Sequence, residues 1–477
     1  MGRILIVANR LPKSVEVKAD GRVALKRSDG GLVTALESFH GQNSDSLWLG
    51  SLNVTAASNQ RVEAQLRADR LVAVGIPAEL YGPYYEGFCN EGLWPLLHDE
   101  ISRARFSNET HSAYWAVNRL FADAILHIAR EGDTVWIHDY HLLLLGGFLR
   151  RERLDLKIGF FLHIPFPFTE IFRAIPWHGE LLEGLMGADL IGFHTWEYAN
   201  NFSTTIRRLL GVEGGDSLLY EDRNVGVGAF PIGIDVGEFI RKAHSNECQE
   251  CLEELREQYN GLTVFFGVDR LDYTKGIPQR LRAFKMLLEH HEEHRGKVVF
   301  VQLAVPTREN IPDYQSIKRE VESLIAHIND QFGTEGYVPV RYIASSITQE
   351  RLCAYYRLAD VLVVSSLRDG WNLVATEYPV AKDEEEPGVL ILSQFAGVVN
   401  ELGGDALCIN PFNEEEIVQA MLTALEMEQG QKIAMMKALR EKVTANDNRT
   451  WSTRFFEVLE EAHVRNQRAT LPKRGRH

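Results

Sequence analysis

No stretch of this chain comes near the ~20 consecutive apolar residues of a membrane-spanning helix, so no membrane partner is expected. Cysteine is scarce as well. Five in 477 residues, scattered and odd in number, argue against a disulfide framework and suit a reducing cytoplasm. Positive charge is short: 51 Lys and Arg against 66 Asp and Glu leave a formal net charge of -15. Nucleic acid and anionic lipid need a basic face, so neither is expected as a general partner. The start, MGRILIVANR, reads as a short apolar strand ending in Arg, not as a signal peptide. Ile6 stands where myristoylation wants Ser or Thr. Asn-x-Ser/Thr matches at Asn53, Asn108, Asn201 and Asn448 carry no weight without secretion. No G-x-G-x-x-G joins a strand to a helix, which removes the dehydrogenase reading. Internal repeats and low-complexity runs are missing too.

What the chain does have is alternation. Twelve short apolar runs read as strands: RILIVAN, RLVAVGI, DTVWIHD, KIGFFLHI, ADLIGFH, VGVGAFPIG, then LTVFFGVD, KVVFVQLAV, VRYIASS, ADVLVVSS, GVLILS and ALCINP. Few alternate strictly, as expected of parallel strands covered on both faces. Helical periodicity fills the gaps, as in SIKREVESLIAHINDQF and EEEIVQAMLTALEME. The pattern predicts doubly wound α/β sheets, and twelve strands are too many for one sheet. Two Rossmann-like domains are expected, 1–235 and 236–450, with PIGIDVGEF at the boundary. A last helix, TWSTRFFEVLEEAHVRNQR, is expected to pack back across the domains, followed by a mobile tail, LPKRGRH.

In such sheets ligands sit beyond the carboxyl ends of the strands. The runs there are charged. Strand one ends in Asn9 and Arg10, and SDGGL then opens a helix at Gly31. VWI leads into His138, Asp139, Tyr140 and His141, and GFFL into His163. FFG leads into VDRLDYTKG, with Arg270 and Lys275; VQLAVPT precedes Arg308; LVVSS leads into Arg368, Asp369 and Gly370, then a helix at NLVATE. This reads as a cleft between two domains, lined with cations and imidazoles. Helix N-termini after Gly31 and near residue 373 offer N–H groups to an anion. Arg270 and Lys275 add full charge, enough to neutralise a departing diphosphate without a metal. Glu377 is placed to accept from ribose hydroxyls. Arg10 and Arg308 form a second cationic set, suited to a phosphate on an acceptor. Together these features predict group transfer from a nucleotide sugar.

The stretches SDGGL, YYEGFCNEGLWPLLH, WIHDYHL, GFFLHIPFPFTEIFRAIPW, ADLIGFHT, PIGID, RLDYTKGIPQRL, LRDGWNLVATEY and LSQFAGVVNEL occur in that order between residues 3 and about 465. In them the chain resembles the trehalose-6-phosphate synthase family of retaining GT-B glycosyltransferases. The resemblance implies transfer of glucose from a nucleotide-diphosphate glucose to glucose 6-phosphate. No cofactor and no metal are implied beyond the nucleotide-sugar co-substrate. The residues leave UDP-, ADP- and GDP-glucose open; UDP-glucose is the donor taken as the expectation. Matched position by position, Arg270, Lys275, Gly31, Leu373 and Val374 fall on the donor diphosphate, Asp369, Trp371 and Asn372 on the donor glucose, and Glu377 on the ribose. His163 falls beside the transferred sugar. Arg10, Tyr85, Trp94 and Arg308 fall on the acceptor phosphate, and Asp139 on the acceptor hydroxyls. Roles in catalysis are therefore expected of His163, Asp139, Arg270 and Lys275. No pair of catalytic carboxylates stands out, as suits a retaining enzyme whose leaving phosphate takes the acceptor proton. Small-molecule substrates are the expected partners; a homo-oligomer is compatible with the chain.

Two positions depart from the family. WLGSLN puts Ser51 where the family has a Trp bordering the acceptor sugar, and DGWN puts Trp371 where it has Met. They keep open a sibling transferase with another phosphorylated acceptor, such as glycerol 3-phosphate or a pseudo-sugar phosphate. A non-catalytic regulatory relative is disfavoured, because donor and acceptor ligands are all present. Four other features read blandly. His138 and His141 lack a third metal ligand. HHEEH at 290–294 lies at a polar helix end. Cys248 and Cys251 form a lone C-x-x-C. The acidic run DEEEP at 383–387 reads as a solvated loop. LYGPYYEGF is either loop packing or part of the site.

Overall fold

The computed structural model describes residues 2–17, 23–27, 31–52, 60–213 and 217–470. The chain divides into two units: Met1–Pro231 with Arg449–His477, and Ile232–Asn448. Ser28–Gly30 of the SDGGL turn, Asn53 and the LPKRGRH tail lie outside the described residues.

In the first unit, ten strands are described: β1 (Ile4–Arg10), β2 (Lys13–Val17), β3 (Val23–Arg27), β4 (Ser46–Ser51), β5 (Leu71–Val74), β6 (Thr134–His138), β7 (Lys157–Phe161), β8 (Leu190–Phe193), β9 (Ser217–Tyr220) and β10 (Arg223–Ala229). Eight form one sheet in the order β5-β4-β1-β6-β7-β8-β10-β9, while β2 and β3 pair as a separate hairpin. Among the described residues, only β9 runs antiparallel in the large sheet. The second unit has six parallel strands: β11 (Thr263–Arg270), β12 (Val298–Val305), β13 (Val340–Ile343), β14 (Val361–Val364), β15 (Val389–Ser393) and β16 (Leu407–Ile409). Their order is β13-β12-β11-β14-β15-β16. This is the doubly wound order, in which the chain winds outward one way and then the other, leaving a switch point between β11 and β14. The first sheet repeats it, with its switch point between β1 and β6.

All twelve expected strands are present. Four were missed: β2, β3, β4 and β9. Strand β4, SLWLGS, reads poorly because Gly50 interrupts a short run. The antiparallel hairpins carry charged and polar residues that mask any apolar run. LYGPYYEGF is no loop: Gly82–Leu93 forms a π-helical run, continued by an α-helical turn at Trp94–Leu97. Wide helices of this kind are rare and concentrate at functional sites.

The terminal helix Asn448–Thr470 returns to the first unit. Phe455 and Trp451, both buried, pack against Trp136 of β6 at ring separations of 5.4 and 5.1 Å. Glycine in β7 makes the approach possible. A Cβ on Gly159 would lie 2.8 Å from a Phe455 ring carbon and 3.0 Å from Leu459. Further along, Asp189 accepts from Arg150, the Ile158 amide and Asn466, at 2.8, 2.9 and 3.0 Å, and pairs with His463 at 3.3 Å. A buried charge of this kind persists only when so surrounded.

Gly159→Val should therefore overpack this layer. We expect a lower urea midpoint, equivalent to about 1–3 kcal/mol, followed by the fluorescence of the tryptophans in the layer. A midpoint equal to the parent's would show that the helix does not depend on that contact.

Candidate active site

In the second unit the switch point lies beside the end of β11. There the chain turns through Asp272–Gly276 into the helix Ile277–His290. Asp272, wholly buried, organises the turn. It accepts from the Thr274 amide at 3.0 Å, the Thr274 hydroxyl at 2.9 Å and the Tyr314 hydroxyl at 2.9 Å, and it pairs with Arg308 at 3.2 Å. Burial alone would push this carboxyl up, but Arg308, Arg270 and the Thr274 amide outweigh it and hold it below its ordinary value. Gly276 ends the turn at φ +63°, and a Cβ there would meet the Ser365 carbonyl oxygen at 2.0 Å, so only glycine fits.

Arg280, one turn into the helix and fully buried, clamps the same loop. It donates to Asp269 at 2.6 Å, the Lys275 carbonyl at 2.8 Å, the Ser365 hydroxyl at 2.8 Å and the Val363 carbonyl at 3.0 Å. The ends of β11 and β14 are thereby tied through one side chain. Lys275 reaches Asp369 at 2.6 Å. Asp369 also accepts from Ser366 and Asn372 at 3.3 and 3.2 Å. Asn372, at φ +102°, caps the helix Leu373–Ala381 by accepting from the Ala375 amide at 3.0 Å. That helix start presents the Leu373 and Val374 end to the edge carrying Lys275. Trp371 is buried, and its carbonyl accepts from the Val398 amide at 3.1 Å. Glu377 is half-buried and accepts from the Tyr356 hydroxyl at 2.7 Å. Burial pushes its carboxyl up to about 7, against the opposing pull of Tyr356 and Lys242. Arg270, at the end of β11, is exposed.

In the first unit the switch point falls between β1 and β6. Arg10 donates to the Tyr81 hydroxyl at 2.7 Å, and its guanidinium lies 4.6 Å from the centre of the Tyr85 ring. Tyr85 stacks on Tyr81 at 5.4 Å and on His141 at 5.9 Å. Tyr85 lies in the π-helical run and Tyr81 closes the short α-helical turn Ala78–Tyr81 that leads into it; the resemblance pointed to Tyr85, and no periodicity pointed to Tyr81. Trp94 is buried under His98 and Tyr140, with ring separations of 4.2 and 5.7 Å. Ser51 is buried too, and its hydroxyl donates to the Asn9 carbonyl at 2.6 Å. Asp139, at the end of β6, has φ +74°, and its carboxylate accepts from the His163 amide at 3.3 Å. His163 Nε2 lies 3.0 Å from Nδ1 of the buried His138.

Seven non-glycine residues among those described have positive φ, and Asp139, Arg308 and Asn372 are three of them. Backbone in this region is strained and concentrates where function holds it.

The pattern of glycosyltransferase family 20 matches residues 2–461. The chain belongs to that family. It is 40% identical over 466 residues to an alpha,alpha-trehalose-phosphate synthase [UDP-forming] 2 of Aspergillus niger, covering 96% of each chain. It is 38% identical over 465 residues to an alpha,alpha-trehalose-phosphate synthase [UDP-forming] A of Dictyostelium discoideum, covering 97% of this chain but only 63% of that longer protein. Among solved structures, an alpha,alpha-trehalose-phosphate synthase of Burkholderia xenovorans in complex with glucose-6-phosphate aligns at TM-score 0.87 and 32% identity, over 96% of this chain and 100% of that one. The fold is the two-domain GT-B arrangement of Rossmann-like units, and the protein is a glycosyltransferase.

Within this family member, sequence reasoning named the charged groups at the strand ends but missed what holds them. Arg280, Tyr314, Tyr356, Ser365, Tyr81 and His138's contact with His163 are such supports. A signal existed for Arg280 alone: an Arg on the apolar face of the helix PQRLRAFKMLL. The acidic run at 383–387 is only partly solvated. Glu384, Glu385 and Glu386 are exposed, but Asp383 pairs with Arg357 at 2.8 Å. Among the described residues no three His, Cys, Asp or Glu side chains are grouped to hold a metal, and none of the five cysteines forms a disulfide.

The Glu377 carboxyl should titrate with a midpoint near 7 in a ¹³C NMR experiment on the ligand-free protein. Tyr356→Phe removes a donor to the charged form, so its midpoint should move higher. A midpoint in the ordinary range near 4.3 would refute the burial argument.

Proposed function

We propose that this protein transfers glucose from UDP-glucose to glucose 6-phosphate, with the α configuration kept, to give trehalose 6-phosphate. The observation that carries this reading is the edge of the second sheet. Arg270, Lys275 and the N-terminus of the helix Leu373–Ala381 stand there with Asp369 and Glu377. Two cations and a set of N–H groups suit a diphosphate that gains charge as it leaves. The names of the relatives supply UDP, and the Burkholderia structure supplies glucose 6-phosphate.

In this reading Arg270, Lys275, Gly31, Leu373 and Val374 hold the donor diphosphate. Asp369, Trp371 and Asn372 orient the glucose, the last two through their backbone, and Glu377 takes the ribose. Lys275 exchanges part of its contact with Asp369 for phosphate oxygen. Arg10, Tyr85, Trp94 and Asp139 receive the acceptor, with Arg308 as a further cation for its phosphate. The anomeric carbon–oxygen bond to the β-phosphate breaks, and a bond to the acceptor oxygen forms on the same face. The acceptor proton passes to the leaving phosphate oxygen. His163 lies beside the transferred sugar. No cofactor takes part, and a cytoplasmic location goes with five cysteines of which none forms a disulfide. A second reading, transfer to a different phosphorylated acceptor, is favoured by Ser51, whose hydroxyl is engaged with Asn9 and which supplies no aromatic wall.

Nucleoside-diphosphate release, measured across UDP-, ADP- and GDP-glucose with glucose 6-phosphate, glucose and glycerol 3-phosphate, decides between these readings. UDP-glucose with glucose 6-phosphate should be the best pair. Arg270→Ala and Lys275→Ala should each lower kcat by roughly 10²–10³, the range for loss of one ligand to developing charge, with the circular dichroism unchanged. Near-normal turnover in both would refute the donor assignment.

Arg10→Ala should raise KM for glucose 6-phosphate and leave donor affinity nearly unchanged, because the lost bonds act on the acceptor phosphate. Turnover should persist in EDTA; full loss restored by Mg²⁺ would show that the diphosphate is neutralised by other means.

A further inference from the structure

His138 and His163 share one hydrogen bond, and its direction is decided by what surrounds His138. The bond runs between His138 Nδ1 and His163 Nε2 at 3.0 Å, so one nitrogen carries the proton and the other accepts. His138 is the last residue of β6 and is wholly buried. Its other nitrogen, Nε2, is buried with no hydrogen-bond partner among the described residues. Either orphan costs desolvation, but a buried N–H with no acceptor is the rarer of the two in folded proteins, so a bare ring nitrogen is the favoured state in that place. The Trp136 ring lies 4.3 Å away at 61°, and a ring face is a weak substitute for an acceptor. The proton of His138 therefore belongs on Nδ1, where it can be donated.

We infer that His138 is a positioning residue that fixes the tautomer of His163: His138 Nδ1–H donates to His163 Nε2, and His163 must then carry its own proton on Nδ1. The inference rests on the reading above that His163 serves the transferred sugar. None of the hydrogen bonds of His163 within the described residues uses Nδ1. His163 thus meets a ligand as a hydrogen-bond donor, not as a base. A donor suits a sugar hydroxyl oxygen or a phosphate oxygen, and it assigns no proton abstraction to this imidazole, in keeping with proton transfer to the leaving phosphate. The surroundings favour neutral rings with one proton each. Burial pushes His138 down to about 3, and burial, with His138 and His194 beside it, pushes His163 well below its ordinary value. Phe161, His194 and Trp451 enclose the His163 ring at 4.6, 5.3 and 6.1 Å.

Two-bond ¹⁵N–¹H correlation on the full-length, ¹⁵N-histidine-labelled protein reads the tautomer directly. The His163 signals are those lost in His163→Ala. The expected result is an Nδ1-protonated, neutral His163 at pH 7; an Nε2-protonated or doubly protonated ring would overturn the inference. His138→Asn keeps an N–H near the place of Nδ1 and should retain both tautomer and turnover. His138→Phe removes the donor and should release His163 to Nε2 protonation, with kcat down roughly 10- to 100-fold, as for partners that orient metal-bound histidines, and donor KM little changed. Equal turnover in the Asn and Phe variants would also overturn it. The wild-type spectrum decides the tautomer even if His138→Phe does not fold. His163→Ala tests the underlying reading separately: full turnover there would remove the catalytic meaning while leaving the spectral result intact.

Discussion

The guanidinium of Arg280 holds the second unit's working edge together. It is wholly buried, and its hydrogen bonds reach the end of β11, the turn after it and the end of β14. Taking such a group out of water is costly, and it persists only because each N–H direction it uses finds an oxygen. Without it, Asp269 would be a buried carboxylate without its cation, and the Lys275 carbonyl would lose a donor. The second clamp, Arg308–Asp272–Tyr314, acts on the same turn from the far side of β11. A loop that must present Lys275 against Asp369 is thus braced by two buried ionic contacts rather than by its own sequence.

The first unit solves a similar problem with rings. Arg10 is held by the Tyr81 hydroxyl and the Tyr85 face, and Tyr85 by His141 behind it. Aromatic stacking fixes a cation's direction without neutralising it, so its charge is not spent within the fold. The contrast is physical. The cation Lys275 is paired with the Asp369 carboxylate, whereas Arg10 meets the neutral Tyr81 hydroxyl and Tyr85 ring. The strain at Asp139, Arg308 and Asn372 belongs with this bracing. Each sits where the chain leaves a strand or enters a helix, and each is held there by hydrogen bonds from its side chain.

Some of this was open to reading before any coordinates. Buried parallel strands announce themselves as apolar runs, so both sheets and the charged residues at their ends were legible. The helix opening at NLVATE was legible as well, whereas the need for glycine at 276 and the cap at Asn372 emerged only with the backbone geometry. Strands β2, β3, β4 and β9 were not legible, because polar hairpins and a glycine-broken run carry no distinct period. The π-helical segment was opaque for the same reason: its spacing fits neither 3.6 nor 2.

The sequence by itself determined the class of fold, the family and the charged groups offered at the strand ends, because these depend on short-range pattern and on residue identity. It could not determine how those groups are partnered. That Lys275 meets Asp369, that Arg280 spans β11 and β14, that Glu377 is raised toward neutrality and that His138 faces His163 were decided by tertiary structure alone. Each joins residues 11 to 94 positions apart or depends on burial, and burial is a property of the packed whole.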